Sequence, residues 1–278
     1  MTEFAYAKLN ITLEVGEKRS DGYHNLRSVM TSASLHDTLM VEKAETVTLA
    51  CNRPDLPTDG RNLAVKAALA FFEKTGMAGG CRLGLTKRIP SEAGLGGGSS
   101  DAAAVLRALR ILYVPEMPME ELESIGALVG SDVPYCVRGG TVLCESRGEL
   151  LTSLPAMPKC WYVIVKPSEA FSTGKMYGEI DAKNPVRQYT TGAVVEALEK
   201  GCLSSVAAHI SNTFEQVIPA ESDVCAIRQQ LLAHGALGAM MSGSGSAVFG
   251  IFNSAEAAQV AATALLSKSW QIFLAESV

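Results

Sequence analysis

Residues 90–114 read PSEAGLGGGSSDAAAVLRALRILYV, and the fold hinges on what this stretch does. Pro90, Ser91, Glu92, Ala93, Gly94, Leu95, Gly96, Gly97, Gly98, Ser99 and Ser100 follow a strand-like segment, CRLGLTKRIP (81–90). They run into an alanine-rich segment in which Leu106, Leu109 and Tyr113 recur at helical spacing. Gly94, Gly96, Gly97 and Gly98 carry no Cβ, so a bulky ligand can approach the backbone closely. The helix beginning near Ser99 offers unpaired N–H groups and the positive end of its dipole. Together these predict a phosphate cradle, with Ser99 and Ser100 adding hydroxyls for phosphate or for a magnesium ion. A flexible linker or a tight turn is the plain alternative, but linkers do not join a strand to an alanine-rich helix. No GK[ST] completes a Walker A loop, and Ser99 falls where a GxGxxG fingerprint needs its last glycine.

Upstream, FAYAKLNITLEVG (4–16) is apolar with rough alternation and predicts a strand. Asp21-Gly22 marks a turn, 37–51 a second strand and 52–62 a loop. Asn62 is a good N-cap for a helix over 63–76 that ends at Gly76. Downstream, 119–130 predicts a short helix, and 131–140 a loop in which Pro134 stops helix continuation. Strands are predicted over 161–167 and 246–252, and helices over 222–235 and 254–269. Pro155 and Pro158, within 151–159, mark the best junction and divide the chain into domains 1–153 and 154–278. Strands and helices mix without a regular βαβ period, so the expected class is α+β in two domains.

At 278 residues, 47% hydrophobic and 19% charged, the chain has ample apolar surface for a core. A net charge of −5 argues against a dedicated nucleic-acid binder. No segment approaches the roughly 18–20 apolar residues needed to span a bilayer. Seven cysteines without a CxxC pair argue against a disulfide framework or a zinc knuckle, and four histidines show no metal-binding spacing. The expectation is a reduced, cytoplasmic protein with no nucleic acid and no membrane as partner, in which a local basic pocket leaves room for a small-molecule anion.

Several other side chains stand out by position. Lys8 interrupts an apolar strand, where it reads equally as a lysine snorkelling from an edge. Asp132 follows a helix ending at Gly130, where a turn aspartate bonded to local backbone is common. Tyr23 and His24 sit in a turn-rich loop that suits a surface aromatic pair. SGSGS (242–246) precedes a strand and reads as a tight turn or as a ligand contact.

Three motifs, spread over nearly the whole chain in the expected order, resemble those of the GHMP kinases. PSEAGLGGGSSDAAA (90–104) is similar to that family's central motif. FAYAKLNITLEVGEKRSDGYHNL (4–26), and NTFEQVI (212–218) with GALGAMMSGSGSAVFGIF (235–252), resemble the terminal motifs of one branch. That branch acts on a polyol linked to cytidine diphosphate, in the non-mevalonate route to isoprenoid precursors.

The resemblance implies a two-domain fold with the active site in the inter-domain cleft, lined by SGSGS. It also implies ATP-dependent phosphorylation of the 2-hydroxyl of the substrate. Residues 90–100 would hold ATP, Mg2+ would accompany it with Ser100 as a candidate ligand, and Asn62 would contact adenine. Lys8 would lie beside the reacting hydroxyl and lower its pKa, and Asp132 would be the general base. Tyr23 would stack on the cytosine, and His24 would hydrogen-bond its polar edge. Asn10, on the same strand face as Lys8, would touch substrate. Thr173 and Tyr177 would take the other side of the base. Ser91-Glu92 depart from the family, which more often has small or apolar residues there, and they put a carboxylate near a triphosphate. The rivals are another GHMP kinase, of homoserine or mevalonate type, and a nucleotide-binding regulator without catalysis. DGYH argues against the first, and Lys8 with Asp132 against the second.

Overall fold

The computed structural model describes residues 1–266 and 269–278. In chain order the elements begin with β1 (Thr2–Asn10), β2 (Thr12–Lys18), β3 (His24–Ala44), β4 (Thr48–Cys51), α1 (Leu63–Thr75) and β5 (Gly80–Thr86). Next come α2 (Gly97–Tyr113), α3 (Met119–Val129), α4 (Val133–Arg138), β6 (Val142–Ser146), β7 (Leu150–Ser153) and β8 (Trp161–Lys166). Then follow α5 (Thr173–Lys183), α6 (Thr191–Glu199), α7 (Leu203–Ala208) and β9 (Ser211–Asn212). The last are α8 (Asp223–Ala233), β10 (Gly238–Met241), β11 (Val248–Phe252), α9 (Ala255–Leu265) and β12 (Gln271–Glu276).

Two compact units interleave along the chain. The first holds residues 1–8, 36–89 and 96–139, and the second 9–35, 90–95 and 140–278. The interleaving follows from β1 and β3, each of which has residues in both units. The 153/154 junction falls inside the second unit, just after β7.

In the first unit the later half of β3 runs antiparallel to β5, with Thr38 opposite Thr86 and Ala44 opposite Gly80. β4 lies parallel to β5 on its other side. Helix α1 starts where Asn62 Oδ1 accepts the Ala64 N–H at 2.9 Å and stops at the left-handed Gly76. It packs against α2, whose Ala102, Ala103, Leu106 and Leu109 are fully buried.

In the second unit β2 pairs antiparallel with the start of β3, and β3 with β6 and β6 with β7. A separate antiparallel sheet, ordered β10-β11-β8-β12, carries α8 and α9. Its core joins Val163, Val165, Val248 and Phe252 to Ile227, Leu231, Ala261 and Leu265. Each of these valine, leucine, isoleucine and phenylalanine side chains contributes roughly 1.5–3 kcal/mol on full burial. Among the described residues no helix is long and apolar enough to cross a membrane.

The α+β class holds, with local corrections. The strand predicted over 4–16 breaks at Ile11 into β1 and β2, and that over 37–51 breaks at 45–47. β3 also begins at His24, thirteen residues earlier, through a polar stretch that predicts no strand. The loop predicted over 131–140 contains helix α4, because Pro134 sits in its first turn, where an N–H has no helical partner. Helix α2 begins at Gly97 rather than near Ser99. The helix predicted over 254–269 ends at Leu265, and positions 267 and 268 of that span lie outside the described residues.

Candidate active site

The glycine loop divides between the units at Gly96. In the first unit Gly96, at φ 67°, is the N-cap of α2, and the Ser100 N–H donates to its carbonyl at 2.8 Å. No side chain caps this end. The N–H groups of Gly97, Gly98 and Ser99 therefore remain as backbone donors for an anion at the positive end of a 17-residue helix. The glycines also answer to the protein's own packing. A Cβ on Gly96 would lie 2.8 Å from Lys8 Cγ, and one on Gly98 would lie 3.2 Å from Leu63 Cδ1. Ser100 is buried, and its hydroxyl donates to the Tyr6 carbonyl at 2.6 Å, which ties α2 to β1.

In the second unit the Ala93 carbonyl accepts from the Ala247 N–H at 3.1 Å, and the Gly94 carbonyl from Ser242 Oγ at 3.0 Å. Gly94, at φ 73°, has no room for a Cβ against the Ser242 carbonyl. The SGSGS segment is thus a close-packed support for residues 93–94. Asn212 holds it from below, with Nδ2 donating to the Met241 and Gly243 carbonyls at 2.8 Å each. Pro90 is buried, whereas Ser91 and Glu92 are exposed and Glu92 takes a left-handed φ of 51°.

Lys8 and Asp132 come together in the first unit, Nζ 3.9 Å from Oδ2. The Lys8 side chain is 6% exposed and that of Asp132 38%. Lys8 therefore does not snorkel from an edge. Asp132 heads α4 but makes no side-chain capping bond, so its carboxylate is not committed to local backbone. The pair has one buried cation and one accessible base.

Beside it lies a cluster that sequence reasoning missed. Lys87 Nζ donates to Asp37 and, at 2.7 Å, to Asp101 Oδ2, all three side chains being buried. Asp37 Oδ1 also accepts the Ile89 N–H at 2.9 Å. The cluster pins the end of β5 and the first turns of α2 to β3. Burial alone would lower the Lys87 ammonium, but Asp101 and Asp37 override it and hold its pKa raised. Burial pushes Asp101 up to about 8 against the pull of Lys87, with Asp37 adding to the rise.

The residues expected at the nucleobase end lie in the second unit. His24 stacks on Tyr177, with ring centroids 5.0 Å apart and 16° between planes, and Tyr177 meets Phe214 edge-on. Thr173 Oγ1 is 2.8 Å from Ser244 Oγ. Tyr23 is 60% exposed, and the Arg147 guanidinium carbon sits 5.3 Å from its ring centroid. Asn10 is buried and donates to Ser28 Oγ at 2.9 Å. Asn62, in the first unit, has both amide atoms engaged, Oδ1 with the Ala64 N–H and Nδ2 with the Pro57 carbonyl at 2.8 Å. It acts on the loop by fixing Leu63, which abuts Gly98.

An uncapped helix start on a glycine loop, beside a lysine–aspartate pair, is equipment for phosphoryl transfer. Residues 62–140 match the GHMP kinases N terminal domain and residues 194–271 the GHMP kinases C terminal domain. The chain belongs to the GHMP kinases, a family of small-molecule phosphotransferases that use ATP as phosphate donor. It is 37% identical over 276 residues, 99% of each chain, to the 4-diphosphocytidyl-2-C-methyl-D-erythritol kinase of Clostridium kluyveri. A crystal structure of 4-(cytidine 5'-diphospho)-2C-methyl-D-erythritol kinase superposes with a TM-score of 0.85 at 34% identity, covering 100% of this chain and 99% of that one. Homoserine kinase from Cytophaga hutchinsonii, at 20% identity, TM-score 0.76 and coverage of 100% and 94%, shares the fold.

Proposed function

We propose that the protein transfers the γ-phosphoryl group of ATP to the 2-hydroxyl of 4-diphosphocytidyl-2-C-methyl-D-erythritol. The products are the 2-phosphate and ADP, in the non-mevalonate route to isoprenoid precursors. The carrying observation is the Lys8–Asp132 pair, in the same compact unit as the uncapped start of α2. Full-length similarity to kinases named for that substrate supports the choice within the family.

In this reading the N–H groups of Gly97, Gly98 and Ser99 bind the phosphates of ATP and hold them still. Asp132 Oδ2 accepts the proton of the attacking hydroxyl, and the Lys8 ammonium offsets the negative charge that develops there. Mg2+ would be held with ATP largely by phosphate oxygens and water, the ligands this ion prefers, and would neutralise phosphate charge. The donor set fits that division, since the described residues offer no group of three or more His, Cys, Asp or Glu to hold a metal. Ser100 is buried with its hydroxyl donating to the Tyr6 carbonyl, whereas Ser99 is only partly buried and would be the loop hydroxyl offered to the ion. Tyr23, His24, Tyr177, Thr173 and Asn10 recognise the cytidyl diphosphate, and Asn62 orders the start of α1. We further read the enzyme as cytoplasmic, in keeping with seven unpaired cysteines.

ADP release measured with and without the cytidyl substrate tests the proposal. Turnover that requires this substrate, and not homoserine or mevalonate, is the expected result. ATP binding without turnover would favour a regulator, and turnover of homoserine or mevalonate another GHMP kinase.

A further inference from the structure

Asp181 belongs to no motif, yet it joins both ends of one loop. Its Oδ1 lies 2.8 Å from His24 Nε2, and its Oδ2 accepts from Lys18 Nζ at 2.5 Å. Lys18 closes β2, His24 opens β3, and the two are register partners across that ladder. Residues 19–23, with Tyr23, therefore spring from this pair, and one carboxylate grips both stems. Asp181 also follows Tyr177 by one helical turn on α5, so the two side chains share a face. Tyr177 covers the His24 ring while Asp181 takes its edge. The bonds from Lys18 and His24 hold the Asp181 carboxyl below the usual carboxylate range.

We propose that Asp181 is a positioning and specificity-determining residue for the nucleobase end of the substrate. The inference rests on the cytidyl reading above. A carboxylate only accepts, so in the neutral ring the proton sits on Nε2 and the other nitrogen, Nδ1, is an acceptor. An acceptor pairs with the exocyclic amine of cytosine and is repelled by the carbonyl that uracil carries at that ring position. Asp181 thus acts through His24 in two ways, setting its tautomer and holding the loop that carries Tyr23.

The test is steady-state kinetics at saturating ATP with 4-diphosphocytidyl-2-C-methyl-D-erythritol and with its uridyl analogue. Asp181→Asn should raise the cytidyl KM about tenfold, the order of one charge-assisted hydrogen bond. Its kcat and the KM for ATP should stay within about twofold of wild type. The cytidyl-over-uridyl preference in kcat/KM should also fall about tenfold, because an amide can donate to Nε2 and release the other tautomer. Lys18→Met keeps the His24 bond, so it should raise both KM values alike and leave the preference intact. Glu179→Gln, on the same helix in an exposed pair with Lys183, is the control that changes neither. An unchanged preference in Asp181→Asn overturns the inference, as does a joint loss of kcat and ATP affinity, since Asp181 would then only support the fold. Should Asp181→Asn fail to fold, Asp181→Glu keeps the acceptor and is expected to keep the preference at a raised KM; a lost preference there is equally fatal. Wild-type turnover of the cytidyl substrate checks the functional reading separately, and its absence removes that reading and this inference together.

Discussion

Lys8 is held straight by its neighbours: the alkyl stem lies against Gly96, and the ammonium is answered by Asp132. Asp132→Asn is nearly isosteric and removes no capping bond, so folding and both substrate affinities should hold. Its single-turnover rate should fall by about 10²–10⁴, the usual loss for a general base. A rate within about threefold of wild type would remove Asp132 from the chemistry and leave positioning as the source of catalysis. Asp101 makes a different prediction. Burial holds its carboxyl up to about 8 in the fold, against about 3.8 for an exposed aspartate, so the native state binds the extra proton in between. That contribution is complete below about pH 4 and is lost as pH rises through about 8. Asp101→Asn should flatten the fall in melting temperature over this range and gain on wild type as pH rises. Parallel melting curves from pH 5 to 9 would show that Asp101 is ionised throughout.

The decisive element is the start of α2, where backbone donors and Lys8 share one turn of glycine. Gly96 needs its left-handed φ, and a methyl there meets the Lys8 Cγ rather than a mobile tip. Gly96→Ala should therefore displace Lys8, costing roughly 1–2 kcal/mol in backbone strain and lowering kcat at least about tenfold. Equal kcat at lower stability would separate the loop's conformation from Lys8. Element by element, the sequence was most readable where the signals were local. The Asn62 cap, the Gly76 stop and the glycine run before alanines each act within one or two turns. The early half of β3 was not readable, because Ser28, Thr31 and Ser32 are buried polar residues in a strand. Ser28 donates to the Thr12 carbonyl at 2.5 Å, and Thr31 lies 3.2 Å from Thr141, partners that no alternation rule anticipates. Helix α4 was hidden by Pro134, which reads as a breaker unless its place in the first turn is known.

Across the whole molecule, the reacting pair and the residues at the nucleobase end belong to different compact units. Tyr23→Ala should accordingly raise the KM of the cytidyl substrate, since a base–aromatic stack is worth ~1–3 kcal/mol, and leave the KM for ATP near wild type. A matching loss of ATP affinity would mean that Tyr23 supports the fold. Arg147 over the Tyr23 ring adds a measurable consequence: the base must stack on the ring's other face or displace a cation.

The residues that mark the family were legible because their physics is short-ranged. Glycine runs, caps and a strand lysine carry their signal within a few positions, and the motifs that resemble the GHMP kinases are built from them. Partnerships between distant residues were decided only by the tertiary structure. His24 and Asp181 are 157 positions apart, and Lys87 and Asp37 are 50. A buried charge must find a partner, but which one is set by the strands and helices that converge on it. No local preference of either residue encodes that meeting, so the chain alone shows the catalytic motif, while the fold chooses the side chains that hold it in place.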